Sequence, residues 1–94
     1  MDILNVITTK NATSTTENAV YNLEYSISNS NLIKVMITII GIKKEEHAED
    51  VYLGHILFEN GNITASIIEN APVPKLFSDY ENLIRQIKKD VNPQ

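Results

Sequence analysis

Asn60-Gly61, set between two apolar runs rich in β-branched residues, constrains this chain more than any other feature. The dipeptide supplies the positive φ angles of a two-residue type I′ turn, whose twist matches that of the strands it joins. Once the turn is placed, the pairing within residues 51–68 follows by counting. Glu59 faces Asn62, Phe58 faces Ile63, Ile56 faces Ala65 and Gly54 faces Ile67. Residues opposite one another share a face of the sheet. Tyr52, Ile56, Phe58, Ile63, Ala65 and Ile67 are therefore expected on one apolar surface, which is assigned to the core. Val51, Leu53, His55, Leu57, Thr64, Ser66 and Ile68 are expected on the other.

The neighbouring segments supply what the hairpin needs to pack against. Tyr21, Leu23, Tyr25 and Ile27 alternate with Asn22, Glu24, Ser26 and Ser28, the period of a half-buried strand. Asn29-Ser30-Asn31 is turn chemistry. Residues 32–42 then form the most apolar run, dense in β-branched residues, with Lys34 and Thr38 marking its wetter face; they read as a central strand. After Pro72 and Pro74, apolar residues recur at Leu76, Phe77, Tyr80, Leu83, Ile84 and Ile87, the stripe of an amphipathic helix. Ser78 and Glu81 have the spacing of a capping box at its start, and Pro74 offers an earlier one. Lys88 and Lys89 suit its C-terminal end.

The expected architecture is α+β: an antiparallel β-meander of about four strands with one C-terminal amphipathic helix packed on one face. Residues 8–18, almost entirely Thr, Asn, Ser and Lys, lack apolar anchors and read as loop. Residues 1–18 are thus expected to be an N-terminal arm, partly flexible, and residues 19–94 a single small α+β domain.

Composition narrows the function classes. The 94 residues contain no cysteine, which removes disulfides, thiolate zinc sites and cysteine nucleophiles. Two histidines are too few for a dedicated transition-metal centre, and no cofactor or metal is expected. A net charge of -4 argues against direct nucleic-acid binding and against docking on an anionic membrane. No apolar run approaches the length of a membrane span, and Asp2 stands where a secretory signal would carry basic residues; a cytoplasmic location is the expectation.

Chemistry-bearing residues are sparse. His55 lies across the hairpin from Ser66, a pairing that would suit a base and a nucleophile. The register places no acid to orient the ring, so an ordinary surface or interface histidine is the simpler account. The acidic loop, with Glu45, Glu46, Glu49 and Asp50 around His47, does not match the EF-hand or H-E-x-x-H spacing and reads as solvated charge. Gly54, inside a strand, marks a bulge or the close approach of another element.

The stronger lead is the face opposite the core. Val51, Leu53, His55, Leu57 and Ile68 from the hairpin, with Met36 and Ile40 from the central strand, make it too apolar to be left in water. A protein partner, a second copy of the chain, or the apolar residues 3–7 would cover it. The expected function is a non-catalytic interaction module: an inhibitor, an immunity-type binder or a small accessory subunit. A subset of that class would mimic nucleic acid with its acidic groups. A peptide-binding or chaperone-like domain, and a small enzyme centred on His55, are the alternatives.

Overall fold

Among the described residues, alternating apolar and polar side chains are realised as five strands joined largely by short turns, with a single helix after them. The computed structural model describes residues 6–42 and 49–91. β1 spans Ile7–Thr15, β2 Val20–Ser28, β3 Asn31–Ile40, β4 Tyr52–Glu59 and β5 Asn62–Ile67. They form one antiparallel sheet in the order β1-β2-β3-β4-β5. The helix α1, Val73–Val91, lies across one face. The fold is thus the α+β meander with a C-terminal helix, with five strands rather than about four.

The extra strand is β1, in the stretch expected to be loop. Its ladder runs from Ile7 opposite Ser28 to Thr15 opposite Val20. Threonine tolerates extended backbone well, and at a sheet edge its hydroxyl finds partners across the strand. The Thr9 and Ser26 hydroxyls lie 3.3 Å apart, and Thr13 donates to Asn22 at 3.2 Å. A strand held by its ladder and by polar pairs needs no apolar face, and that absence is why composition alone suggested a loop.

The two tight hairpins turn on residues in the left-handed region. Asn60 and Gly61 have φ of 54° and 79°, as the dipeptide requires. Asn29 and Ser30, at 51° and 66°, make a second turn of the same kind without a glycine.

The core lies between the sheet and α1. Tyr21, Leu23, Tyr25, Val35, Ile37, Ile39 and Ile56 from the sheet meet Leu76, Tyr80, Leu83, Ile84 and Ile87 from the helix, all of them buried. Each such side chain contributes about 1.5–3 kcal/mol when fully removed from water. The helix begins at Val73, so Pro74 sits in its first turn, where a missing N–H costs nothing. Ser78 and Glu81 consequently lie within the helix and do not cap it.

Two carboxylates about three turns apart fix the helix against β1 and β2. Asp79 accepts hydrogen bonds from the hydroxyls of Tyr21 at 2.5 Å and Thr16 at 2.7 Å, and from the Asn18 side-chain amide at 3.1 Å. Burial works to raise the Asp79 pKa, but the donors from Tyr21, Thr16 and Asn18 outweigh it and hold the carboxyl below its ordinary value. Burial, reinforced by Asp79, pushes the Tyr21 hydroxyl well above its ordinary range, so it stays a donor. Further along, Asp90 accepts from Tyr25 at 3.1 Å and from Lys10 at 3.3 Å.

Gly54 sets the geometry of β4. Ile39 pairs with Gly54 but Ile40 pairs with Tyr52, so Leu53 is an extra residue in a β-bulge. Gly54 has φ of 150°, and a Cβ there would lie 2.2 Å from the Ser66 carbonyl oxygen. Glycine is required twice over, by backbone conformation and by space.

Two outcomes follow. Gly54→Ala should destabilise the protein by on the order of 2–3 kcal/mol in urea unfolding, through a backbone clash that no rotamer relieves. Asp79→Asn should cost about 1–3 kcal/mol at neutral pH. Because the folded Asp79 is the stronger acid, that contribution is complete above the ordinary carboxylate pKa and is lost as pH falls through the folded value. The stability gap between wild type and Asp79→Asn should therefore close on acidification, as read from unfolding curves at stepped pH.

Candidate functional site

The face of the sheet turned away from α1 is built row by row from the strand register. Asn22, Thr38, His55 and Ser66 form one row, and Glu24, Met36, Leu57 and Thr64 form the next. Beyond them run Ser26, Lys34, Glu59 and Asn62, and at the other end Val20, Ile40 and Tyr52 lie side by side. Val20, Met36, Ile40, His55 and Leu57 are half-buried by one another, and Tyr52 is 54% exposed. The middle of this face is apolar, and Glu24, Lys34, Glu59 and the Thr and Asn side chains of β1 rim it.

The bulge at Gly54 decides which hairpin residues belong here. From Gly54 to Ile67 the pairing is the one counted from the turn, with His55 opposite Ser66 and Leu57 opposite Thr64. Before Gly54 the extra residue reverses the alternation. Tyr52, expected in the core, stands on the open face beside Ile40. Leu53, expected on the open face, packs against the core. Val51 follows Leu53: its Cβ and the Leu53 side chain each lie 3.7 Å from the position a Gly41 Cβ would take. Val51 and Ile68 are exposed at the end of the hairpin remote from the turn. Met36, Ile40, His55 and Leu57 are the predicted site residues that the structure does gather on one face.

Tyr52 and His55 sit three residues apart yet share a face because of the bulge, and the Tyr52 hydroxyl lies 2.7 Å from His55 Nδ1. In the neutral ring with its hydrogen on Nε2, Nδ1 accepts from the Tyr52 hydroxyl, a better pairing than a ring N–H donated to a phenol oxygen. Sequence reasoning missed Tyr52 and Val20 as members of this face. The signal that bears on Tyr52 is Gly54: a strand glycine that forms a bulge shifts every residue before it by one.

On the helix side, two open grooves flank α1. One of about 260 Å³ lies between β1 and the helix, with Leu23, Tyr25, Leu83 and Asp90 among its walls. The other, of about 300 Å³, is formed by Phe58, Ile63, Tyr80, Ile84, Arg85 and Lys88. Lys88 Nζ stands 5.5 Å from the centre of the Phe58 ring, a cation–π contact. Ile63 and Ala65, assigned to the core from the register, are on this side but exposed, Ile63 to 56%, because the helix does not extend over β5.

Of the acidic loop, Glu49 and Asp50 are exposed, and Glu45 and Glu46 lie outside the described residues, as does His47. Residues 3–5 of the apolar N-terminal patch are likewise outside them, and Val6 and Ile7 are each 60% exposed. Among the described residues no group of three or more His, Asp or Glu side chains is placed to hold a metal ion, and no helix is long and apolar enough to cross a membrane.

Comparison with protein-family models, with curated proteins and with solved structures finds no match to this chain.

The Tyr52–His55 bond is directly measurable. Ring ¹⁵N shifts of His55 at a pH where it is neutral should report the Nε2–H tautomer, and Tyr52→Phe should raise the share of the Nδ1–H form.

Proposed function

We propose that this chain is a non-catalytic interaction module that binds a protein partner through the sheet face centred on Met36, Ile40, Tyr52, His55 and Leu57. The observation that carries this reading is the one-sided cover. Among the described residues a single helix covers one face, while the opposite face presents an apolar middle inside a polar rim, the anatomy of a protein–protein interface. Tyr52 adds an amphipathic ring of the kind that contributes most at such contacts. An inhibitor, an immunity-type binder or a small accessory subunit would each use the face in this way, with Glu24, Lys34 and Glu59 tuning orientation from the margin.

An enzyme centred on His55 is the weaker account. The ring lies on an open face rather than in a pocket, and its partner at hydrogen-bond distance is a neutral phenol. Among the described residues no set of donors around it converges on a reacting atom.

The test is a capture experiment from the native cell with a matched pair of variants. Leu57→Lys and Met36→Glu, on half-buried open-face positions, should each abolish capture of a partner held by wild type, while circular dichroism stays unchanged. Glu81→Lys, exposed on the helix, should retain it. Equal capture by all four proteins would remove the open face from the account.

A further inference from the structure

β5 ends the sheet, and among the described residues no strand pairs with its outer edge. In an antiparallel hairpin, alternate residues direct their backbone N–H and C=O toward the neighbouring strand and away from it. Glu59 and Asn62 flank the two-residue turn, and the Ile68 N–H donates to the Leu53 carbonyl at 2.9 Å. Asn62, Thr64, Ser66 and Ile68 therefore turn their backbone groups toward β4, and Ile63, Ala65 and Ile67 turn theirs outward. The chain after Ile68 leads to the helix rather than past this edge, and among the described residues no strand takes up the outward groups.

This edge lacks the devices that normally blunt one. Asn62–Ile67 carries no charge, no proline and no bulge of its own. The three residues with outward backbone groups also present their side chains on the helix side, where Ile63 and Ala65 are exposed beside the groove of Phe58, Tyr80 and Ile84. The opposite edge differs in kind. β1 carries Lys10, held by Asp90, and its Thr9 and Thr13 hydroxyls pair with β2, so pairing there would bury little apolar surface.

We infer that β5 pairs antiparallel with β5 of a second copy of this chain, about a two-fold axis at Ala65. Parity selects this register. Ala65 meets its own counterpart, and Ile63 and Ile67 each oppose the other in the second copy. The residues whose backbone groups point outward then oppose one another, Ala65 with Ala65 and Ile63 with Ile67, and each of these pairs exchanges two hydrogen bonds, while Thr64 and Ser66 form the alternate pairs between them. The smallest side chain sits on the axis, where a residue must meet itself, and β-branched side chains flank it. Ile63, the most exposed apolar residue of the strand, is covered by an isoleucine of the second copy. No like charges meet within the paired strands. The result is one sheet running through both copies with both helices on the same side, and the open face proposed above is left free on each. The inference does not depend on that earlier reading.

Amide hydrogen exchange resolved by NMR, run beside light-scattering mass over a concentration series of the full chain, tests it. The mass should rise toward twice that of the chain. The amides of Ile63, Ala65 and Ile67 should gain protection in step, by about tenfold or more, while those of Thr9, Asn11 and Thr13 do not. Ala65→Pro removes an N–H unused within one copy, which an edge strand tolerates, and should hold the protein monomeric. Ala65→Ser, which keeps the N–H, should dimerise, and so should Leu57→Lys. A chain still monomeric at millimolar concentration overturns the inference. So does a dimer in which the Ile63, Ala65 and Ile67 amides stay unprotected, a result readable in the wild type whether or not the proline variant folds.

Discussion

The helix can cover only one face of the sheet, and its docking determines what every other surface is for. The stripe of Leu76, Tyr80, Leu83, Ile84 and Ile87 supplies the driving force, because these side chains and their sheet partners leave water together. Apolar burial is non-directional, and the hydrogen bonds to Asp79 supply the direction. Three donors from Thr16, Asn18 and Tyr21 converge on one carboxylate near the start of the helix, and Tyr25 with Lys10 meets Asp90 near its end. These bonds tie the helix to the β1–β2 end of the sheet while its apolar stripe packs over β2, β3 and β4. Among the described residues two surfaces are left over: the opposite face, and the strip of β5 that the helix does not reach.

The bulge at Gly54 then edits the composition of the open face. Without it Leu53 would be exposed there and Tyr52 buried; with it an aliphatic group goes to the core and a phenol stands beside His55. The exchange makes the face more polar at one end and places a hydroxyl within hydrogen-bond distance of the histidine ring. It also explains why a residue as weakly strand-forming as glycine sits inside β4: a Cβ would strike the backbone of β5. Fold and surface chemistry are set here by the same backbone contact.

Much of this was legible in the residues, and the failures have physical causes. The Asn60-Gly61 turn carries its own geometry, so the pairing from Gly54 to Ile67 could be counted, and the helical stripe could be read from its period. The glycine marks a bulge as one reading, but nothing in the residues says which way the alternation reverses, so Tyr52 and Leu53 take the opposite sides from those expected. β1 escaped because periodicity reports burial, and a strand fixed by its ladder, by the hydroxyls of Thr9 and Thr13 and by Lys10 has no apolar period to report. Of the candidate site, Met36, Ile40, His55 and Leu57 were recoverable in advance. Tyr52 required the bulge, and the outward-facing edge of β5 required knowing where the helix stops.

The account rests on an uncovered apolar face in the free chain. Solvent paramagnetic relaxation with a soluble gadolinium chelate measures this directly on side-chain methyl groups, at a concentration where light scattering shows a monomer. The account predicts strong relaxation of the Met36 and Leu57 methyls and weak relaxation of Ile37, Ile56 and Leu76 at the helix–sheet core, with Leu53 close to the protected group. Protection of Met36 and Leu57 equal to that of Ile56 in the monomer would mean that the chain covers this face itself, and would contradict it.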